Sequence, residues 1–482
     1  MPIDNHKIVN ATKWSAVAEV LAKLITPVTT MVLARLLTPD AFGVVATITM
    51  IISFAEIFTD AGFQKYVIQH EFVDDNDRDE STNVAFWSNL ALAFILWGII
   101  AVFNAPLARL VGNPGLGHVI TIACVSLPLQ AFSSIQMANY KRDLDFRTLF
   151  KVRLAGVLVP LVVTIPLAFI MHSYWALVIG TIAVNLVNAL VLTIYSTWRP
   201  KWYYSWNKLH EMVSFTIWSI IESVSIWLTG YIDIFIVGVT LSQYYLGLYK
   251  TSMTTVAQIT TLITAATTPV LFSSLSRLQD NRQEFEQLFF RFQKLVGILI
   301  IPLGVGIYVF RNFITLVLLG SQWMEAAGFI GLWGLTSSIT IVLAHYSSEV
   351  YRSLGKPRLS VLAQVLHIIV LWPVVQIAVQ YGFDTLCCAR ALVRLEMIIV
   401  QLVIMYYIVR LSPLDMIKNV FHEIVASTLM GIVGWMLLTL NTTMIWTVFS
   451  ILICMIIYFA CIFAFKNDRH IIVAFIQNFR KR

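Results

Sequence analysis

Long apolar runs separated by short polar loops fill most of this chain. A helix needs about 20 predominantly apolar residues to cross the hydrocarbon core of a bilayer, and fourteen runs of roughly that length can be placed. They lie near 13–36, 42–63, 84–104, 117–138, 150–170, 175–198, 213–239, 246–272, 295–318, 326–349, 359–380, 386–409, 423–440 and 444–465. The pattern predicts an all-α integral membrane protein with about fourteen transmembrane helices.

Composition excludes a soluble protein. Of the 482 residues, 58% are hydrophobic and 12% are charged, whereas a soluble domain carries roughly 25% charged residues. The net charge of +7 does not indicate a nucleic-acid partner, because the basic residues sit in short loops between apolar runs. The five cysteines all fall inside apolar stretches without metal or redox spacing. We therefore expect no nucleic acid, no metal and no cofactor.

Lysine and arginine are distributed unevenly between alternate loops. If the N-terminus is cytoplasmic, the inner segments hold 26 of these residues and the outer segments hold 4. The remaining three, Lys23, Arg390 and Arg394, lie inside spans. Because short cytoplasmic loops retain positive charge, we expect both termini to be cytoplasmic and the number of spans to be even.

Two parts of the chain resemble each other at a separation of 204 residues. This shift sets Trp14-Ser15 on Trp218-Ser219, Thr38 on Ser242, and Phe42-Gly43 on Leu246-Gly247. Six spans separate the copies, so both halves insert in the same sense, as in transporters built from parallel repeats. The predicted parts are an N-lobe at 1–205, a C-lobe at 206–410, and two extra spans with a cytoplasmic tail at 411–482. A chance alignment of two helical hairpins remains the alternative.

Five short blocks carry a family resemblance. They are Leu33-Ala-Arg-Leu-Leu-Thr-Pro-Asp-Ala-Phe-Gly43, Asp60-Ala-Gly-Phe63, Val67-Ile-Gln69, Phe86-Trp-Ser-Asn-Leu-Ala-Leu92 and Tyr140-Lys-Arg-Asp-Leu-Asp-Phe146. In order and spacing they resemble the polysaccharide transporters of the multidrug/oligosaccharidyl-lipid/polysaccharide superfamily, in particular the colanic-acid and O-antigen type of lipid-linked oligosaccharide flippase. The motifs are specific over roughly the first 155 residues.

The resemblance implies a fold and a function. The fold is two parallel six-helix lobes that form a V around a central cavity, with two additional C-terminal helices. The function is transport, not enzymatic catalysis: undecaprenyl-diphosphate-linked repeat units for lipopolysaccharide or exopolysaccharide cross the bacterial inner membrane by alternating access. The implied partners are this lipid-linked oligosaccharide, membrane lipids, and the polymerase and chain-length regulator of the same pathway.

Charged residues inside the predicted spans are the main candidates for a site, because a charge at mid-bilayer is costly unless it meets a partner or a wet cavity. In span 1, Glu19 and Lys23 are four residues apart on one helix face. They are either a locally neutralised pair or lumen residues, in which case Lys23 meets a phosphate and Glu19 takes a coupling proton.

Spans 7 and 12 supply the other candidates. Glu222 and Asp233 are eleven residues apart and lie on nearly one face with Trp227. This acidic, aromatic wall suits a glycan, and Asp233 is a second coupling candidate; the alternative is that the acids are buried against basic residues of other spans. Arg390 and Arg394 are four apart and of like charge, so they need an anionic partner. That partner is either an acid such as Asp233 or an anionic substrate group.

Several weaker signals carry no chemistry of their own. His367 is expected to be a hydrogen-bonded packing residue, and Glu396 is expected to point away from the two arginines. The acidic run 74–80 lacks the glycine of a calcium loop and is expected to be a solvated loop. Since the chain has no nucleotide-binding motif, an ion gradient or the membrane potential is the expected driver.

Two other functions stay open at this level. A cation-coupled multidrug exporter of the same superfamily is expected to have an acid-rich lumen with less basic charge. A membrane polymerase or ligase of the same pathway is expected to expose a sizeable outer catalytic loop, and the outer loops of this chain are short.

Overall fold

The computed structural model describes residues 5–60, 62–196, 198–356, 358–465 and 469. The side chains of residues 5–13, 15, 16, 18, 60, 214–219, 221 and 222 lie outside this description. Every regular element in the described part is helical, and it contains no β-strand. The predicted all-α class is confirmed.

The helices fall into two compact units, Met1–Lys250 and Thr251–Arg482. Unit 1 contains α1 (Asn5–Leu36), α2 (Pro39–Asp60), α3 (Phe63–Gln69), α4 (Asp75–Val102), α5 (Asn104–Leu110), α6 (Gly117–Ala123), α7 (Ser126–Arg142), α8 (Phe146–Val159), α9 (Ile165–Met171), α10 (Trp175–Tyr195) and α11 (Trp206–Thr240). A π-helical turn, Pro160–Thr164, joins α8 to α9. The boundary between the units falls inside α12 (Gln243–Ser276).

Unit 2 continues with α13 (Arg282–Val309), α14 (Arg311–Leu318), α15 (Ala327–Thr340), α16 (Ser347–Ser353), α17 (Arg358–Ala378), α18 (Phe383–Ile404), α19 (Pro413–Asn419), α20 (Phe421–Leu440) and α21 (Met444–Ala464). Short 3-10 segments occur at Ser321–Ala326 and Val379–Tyr381, and π-helical turns at Ile341–His345 and Met405–Val409. The lobe boundaries at 205 and 410 are derived from the internal repeat in the sequence, and they stay a prediction.

Thirteen helical segments of the described chain are long and apolar enough to cross a membrane. Each overlaps one of the runs predicted from the sequence, starting with Pro39–Thr59 and ending with Met444–Ala464. The remaining predicted span, 13–36, falls within α1, where several side chains lie outside the description. The chain is therefore a multi-pass membrane protein, as predicted. Large apolar side chains on its surface, such as Val162 and Ile456, suit contact with lipid.

The prediction of a solvated acidic loop at 74–80 is wrong. Residues from Asp75 onward form the first turns of α4. Asp74 caps this helix, because its Oδ1 accepts a hydrogen bond of 2.7 Å from the backbone N–H of Asp77. Acidic residues in a first turn are favoured by the helix dipole, so the same charges that suggested a loop stabilise a helix start.

Packing within each unit brings distant segments side by side. In unit 1, α1 packs on α8, α8 on α10, α10 on α7, and α2 on α11. In unit 2, α13 packs on α15 and α20, and α18 packs on α15 and α17. Apolar clusters fill these contacts: Phe63, Phe86 and Met212 belong to one in unit 1, and Phe289, Val350 and Met416 to one in unit 2. These contacts fix the positions of the polar side chains described next.

Candidate functional site

Glu19 on α1 holds two cations. Its Oε1 lies 3.5 Å from the Lys23 ammonium on the same helix, and its Oε2 lies 2.7 Å from the Arg153 guanidinium on α8. The Glu19 and Arg153 side chains are 42% and 50% exposed, and that of Lys23 is 21% exposed. The predicted pair of Glu19 and Lys23 is therefore present, but it is part of a triad that the sequence did not reveal.

A cavity of about 510 Å³ opens beside this triad in unit 1. Its lining residues are Glu19, Ala22, Thr26, Met137, Lys141, Phe146, Leu149, Phe150, Val152, Arg153, Gly156, Val157, Val184 and Asn188. Two cations and one acid make the lining basic. The buried Oδ1 of Asn188 has no hydrogen-bond partner in the structure, and it faces Gly156, whose added Cβ would lie 2.9 Å away. The cavity can hold an anionic group with a polar attachment.

The predicted aromatic and acidic wall on α11 packs against α2. The indole Nε1 of Trp227 donates a hydrogen bond of 3.0 Å to the Ser53 hydroxyl. Its ring stacks on Tyr231 at 5.4 Å and lies against Phe54 at 4.8 Å. Trp227 is therefore held by protein contacts within unit 1. The side chain of Glu222 lies outside the described residues, so its predicted role is untested.

Asp233 is fully buried in unit 1. Its Oδ2 accepts a hydrogen bond of 2.9 Å from the Tyr249 hydroxyl, and its Oδ1 accepts one of 2.8 Å from the backbone N–H of Ile234. Nearby, the Lys250 ammonium lies 5.1 Å from the centroid of the Tyr231 ring and interacts electrostatically with Asp233. Both the predicted coupling role and the predicted binding role of Asp233 stay predictions.

Arg390 and Arg394 on α18 share one indole. The guanidinium carbon of Arg394 lies 3.6 Å from the centroid of the Trp333 ring, and that of Arg390 lies 4.9 Å from it. Arg394 also donates a hydrogen bond to the Ser337 hydroxyl. The negative face of an indole attracts cations, so Trp333 offsets part of the repulsion between the two like charges. The sequence did not predict this aromatic partner.

Arg394 lines a cavity of about 300 Å³ in unit 2. The polar residues of its lining are Thr260, Ser337, Thr340, His345, Ser348, Gln364, Arg394 and Gln401. The expectation that Glu396 points elsewhere is confirmed: its Oε2 lies 2.8 Å from His367 Nδ1. His367 is buried and hydrogen-bonded, also as predicted. This cavity offers one cation and several hydroxyl, amide and imidazole groups to a polar ligand.

The Tyr140–Phe146 block, which carried part of the family resemblance, ends α7 and starts α8. Arg142 donates hydrogen bonds to the carbonyl oxygens of Val67, Ile68 and His70, at 2.9, 3.3 and 2.6 Å. It thereby caps the C-terminal end of α3. Asp145 accepts bonds from the backbone and the hydroxyl of Thr148 and so caps α8. The block is therefore a folding signature that places Lys141 at the cation cavity.

A charged network joins the start of α4 to the start of α11. The Lys208 ammonium lies 2.7 Å from Asp77 and 3.0 Å from Glu80. Burial lowers the pKa of Lys208, but its hydrogen bonds to these two carboxylates outweigh burial and raise it above its usual range. Lys208 is therefore a firm cationic anchor at neutral pH.

Sequence reasoning missed Lys141, Arg153, Asn188 and Trp333. Arg153 is one of the 26 basic residues of the predicted inner segments, although it falls at the start of the predicted span 150–170. That overlap was the available signal for Arg153. No pattern in the sequence joined Trp333 to the two arginines or Asn188 to the cavity. Among the described residues, no group of three or more His, Cys, Asp or Glu side chains could hold a metal ion.

Comparisons of sequence relate the chain to known proteins. A family model described as polysaccharide biosynthesis protein matches residues 32–328. The succinoglycan biosynthesis transport protein ExoT of Rhizobium meliloti (strain 1021) is 22% identical over 326 residues, covering 68% of this chain and 65% of ExoT. The lipopolysaccharide biosynthesis protein WzxC of Escherichia coli (strain K12) is 21% identical over 324 residues, covering 66% and 64%. The matched region is thus less than two thirds of either relative.

Comparisons of structure relate the fold to solved transporters. The lipid II flippase MurJ in an inward closed conformation superposes with a TM-score of 0.76 at 14% identity, covering 94% of this chain and 98% of that one. An inward-facing multidrug resistance MATE family transporter of the MOP superfamily gives a TM-score of 0.59 at 12% identity, covering 83% and 95%. At these identities the likeness concerns the fold alone.

Proposed function

This chain belongs to the polysaccharide biosynthesis protein family, and on that premise we propose that it is a flippase for undecaprenyl-diphosphate-linked polysaccharide repeat units. It moves units of the O-antigen or exopolysaccharide type from the inner to the outer leaflet of the bacterial inner membrane. The names of the relatives support transport in polysaccharide production, since ExoT is named for succinoglycan transport and WzxC for lipopolysaccharide biosynthesis.

The observation that carries this proposal is the cation-lined cavity of unit 1. A diphosphate and its sugars must cross an apolar layer in which an isolated charge is costly. The cavity places Lys141 and Arg153 around about 510 Å³ of space within a membrane-spanning bundle. The guanidinium of Arg153 offers paired donors that suit phosphate, and Lys141 adds a compact positive charge.

Glu19 gives this cavity a means of coupling. In the present arrangement its carboxylate holds both Lys23 and Arg153. An arriving diphosphate competes with Glu19 for these two cations, because both are oxyanions. In this proposal the displaced carboxylate is the group that takes the coupling proton. Substrate binding and proton uptake are then linked at one residue.

Arg390 and Arg394 provide a second cationic region, in unit 2. Trp333 fixes both guanidinium groups, and Arg394 borders the polar cavity of about 300 Å³. In the proposed cycle of alternating access this region attracts the anionic headgroup, while Trp227, Glu222 and Asp233 remain the proposed glycan wall.

Both termini of the chain are cytoplasmic in this proposal. The polymerase and chain-length regulator of the pathway are its proposed partners.

The first test uses a strain that lacks the gene. Its undecaprenyl lipids are extracted and analysed by mass spectrometry, and the leaflet of any accumulated species is determined. Accumulation of a complete repeat unit in the inner leaflet, reversed by the wild-type gene, supports the flippase. Accumulation in the outer leaflet points to a block after flipping and contradicts the proposal.

The second candidate is a cation-coupled multidrug exporter, which the fold likeness to a MATE transporter keeps open. The same deletion strain separates the two functions. Reduced drug tolerance with unchanged undecaprenyl lipids supports the exporter. The basic character of the unit 1 cavity favours the flippase, because an exporter of cationic drugs needs acidic groups there.

A further inference from the structure

A second polar cavity of about 420 Å³ lies in unit 1. It lies between the first turns of α4, the C-terminal end of α7 and the segment that precedes α11. Its lining residues are Asp75, Asn76, Arg78, Asp79, Thr82, Asn139, Tyr140, Asp143, Ser196, Trp198, Arg199 and Lys201. Its volume is within the range of about 300–1,000 Å³ that is usual for small-molecule sites.

Charges in this lining are balanced. Three acids face three bases, and four of the six are joined in pairs: Arg78 lies 2.8 Å from Asp143, and Lys201 lies 3.4 Å from Asp79. Arg199 donates a hydrogen bond of 2.5 Å to the carbonyl oxygen of Thr193. The cavity therefore has no excess of either sign to attract a free anion or cation.

The Oδ1 of Asn139 and the Nε1 of Trp198, both in residues of this lining, have no hydrogen-bond partner in the structure. Asn139 is only 8% exposed. The ring of Trp198 is fixed edge-to-face on Phe86, with the centroids 5.6 Å apart. Buried polar atoms are nearly always hydrogen-bonded, so one acceptor and one donor at this wall await a partner that fills the cavity.

The geometry points to this cavity as a binding site for a neutral sugar ring. A hydroxyl both donates and accepts hydrogen bonds, so adjacent hydroxyls can satisfy Asn139 Oδ1 and Trp198 Nε1 together. The carboxylates of Asp79 and Asp143, which are paired with bases, can also accept hydrogen bonds from further sugar hydroxyls. A fully ionised phosphate meets only part of these needs: its oxygens can accept from Trp198 Nε1, but they cannot donate to Asn139 Oδ1.

This site deepens the proposed function and rests on it. Met137 and Lys141 line the cation cavity, whereas Asn139 and Asp143 line the sugar cavity. At 100° per residue these two pairs lie on opposite faces of the C-terminal end of α7, where Asp143 is the C-cap residue. The diphosphate and a sugar of one cargo molecule therefore have separate sites at the same end of unit 1.

Saturation-transfer NMR on the purified full-length protein in nanodiscs tests the sugar site. The probes are methyl α-D-glucopyranoside, methyl β-D-galactopyranoside and N-acetylglucosamine, with inorganic phosphate as a separate competitor. We expect saturation transfer to at least one pyranoside and no displacement of that sugar by phosphate.

Two variants and two controls locate the signal. Asn139→Leu and Trp198→Phe each remove one unpartnered atom and are expected to weaken sugar binding about 3- to 10-fold, as for the loss of one neutral hydrogen bond. Asn139→Asp keeps an acceptor oxygen and is expected to retain binding. Trp446→Phe removes an indole donor that is already hydrogen-bonded to the carbonyl oxygen of Leu437. This control variant is expected to bind sugar as the wild type does. Size-exclusion profiles identify variants that fail to fold.

Each outcome decides the question. No saturation transfer to any of the three sugars means that the cavity holds water alone, which overturns the inference. Equal sugar binding by Trp198→Phe and the wild type places the sugar elsewhere, and displacement by phosphate makes it an anion site. Lipid accumulation in the deletion strain is measured independently, so the flippase proposal can stand while the sugar site fails.

Discussion

Gly43 and Gly247 make the same backbone contact in opposite directions. A Cβ added to Gly43 would lie well under 3.0 Å from the carbonyl oxygen of Gln243, and one added to Gly247 would lie equally close to that of Pro39. The two glycines are 204 residues apart, as are Pro39 and Gln243. Reciprocal contacts of this kind are what a two-fold axis produces. The contact supports the predicted repeat at these positions, in a place where only glycine fits.

Replacing Gly43 by alanine is therefore expected to damage the fold. The new methyl group meets backbone atoms that cannot rotate away, and overpacking of a rigid contact typically costs about 1–3 kcal/mol. Gly98→Ala is the matched control, because nothing lies within 4 Å of a Cβ at that position on α4. Thermal unfolding of the purified proteins should show a lowered midpoint for Gly43→Ala and an unchanged or slightly raised one for Gly98→Ala. Equal midpoints would mean that the backbone at Gln243 moves aside for the methyl group at little energetic cost.

Arg153→Gln is expected to stop transport with little loss of folded protein. The Glu19–Arg153 pair is half exposed, and such pairs contribute only about 0.2–1 kcal/mol to stability. Lipid accumulation measures transport, and membrane abundance measures folding. The exchange of both residues, Glu19→Arg with Arg153→Glu, restores the ion pair but moves the cation to α1. Wild-type transport by this double variant would show that the pair has a structural role only.

Trp333 is expected to matter through its aromatic face. Trp333→Leu removes the ring that holds Arg390 and Arg394, and a desolvated cation–π contact contributes about 2 kcal/mol or more. Trp333→Phe keeps an aromatic ring and should retain most of the stability. Thermal unfolding with and without lipid cargo measures whether Trp333→Phe is more stable than Trp333→Leu. If the two variants are equally destabilised, the stabilising effect of Trp333 comes from the volume of its side chain and not from the cation–π contact.

Charge reversal at Lys23 or Arg394 is expected to abolish transport at unchanged membrane abundance. In each case an acid replaces a cation that the proposed mechanism uses to attract the diphosphate. Immunoblots of the membrane fraction accompany the lipid analysis. Arg109→Glu serves as the control for a general effect of added negative charge, because the distribution of lysine and arginine predicts that its segment lies on the outer face. Loss of the protein from the membrane would count against a direct role for either cation.

Arg142→Lys is expected to loosen α3 although the charge is kept. The arginine serves three carbonyl oxygens at once and lies over the Phe72 ring at 4.5 Å, and a lysine ammonium cannot reproduce this planar fork. Hydrogen exchange of the backbone amides of 63–73 should become faster in the variant. Arg147→Lys, a nearby residue of the same type, provides the comparison. Unchanged protection of α3 would show that its apolar contacts alone hold it.

The membrane spans could be predicted because each span is encoded locally. A run such as 444–465 has to be helical in lipid, since its backbone groups find no other partner there, and α21 occupies Met444–Ala464. The acidic run at 74–80, which is predicted to be a loop, forms a helix start for a local reason as well. The dense negative charge suggests a loop. The structure has a helix start instead, because the Asp74 carboxylate accepts an N-cap hydrogen bond and the helix dipole favours acids in the first turn of α4.

The site was predictable only in part, because a charge in a span identifies one member of a contact and not its partner. Lys23, Arg390 and Arg394 stood out in the sequence, yet Arg153 joins Glu19 across 134 residues and Trp333 meets Arg394 across 61. Both contacts follow from helix packing, which depends on the shapes of many side chains at once.

By itself, the sequence determined that this protein spans a membrane many times as helices, and which intramembrane charges need an explanation. Its short motifs also indicated the family. Only the tertiary structure decided that Glu19 bridges two cations, that one indole serves two arginines, and that Asn139 and Trp198 border a common cavity. Hydrophobicity and hydrogen bonding along one helix are local properties, whereas a cavity exists only between helices that have already packed.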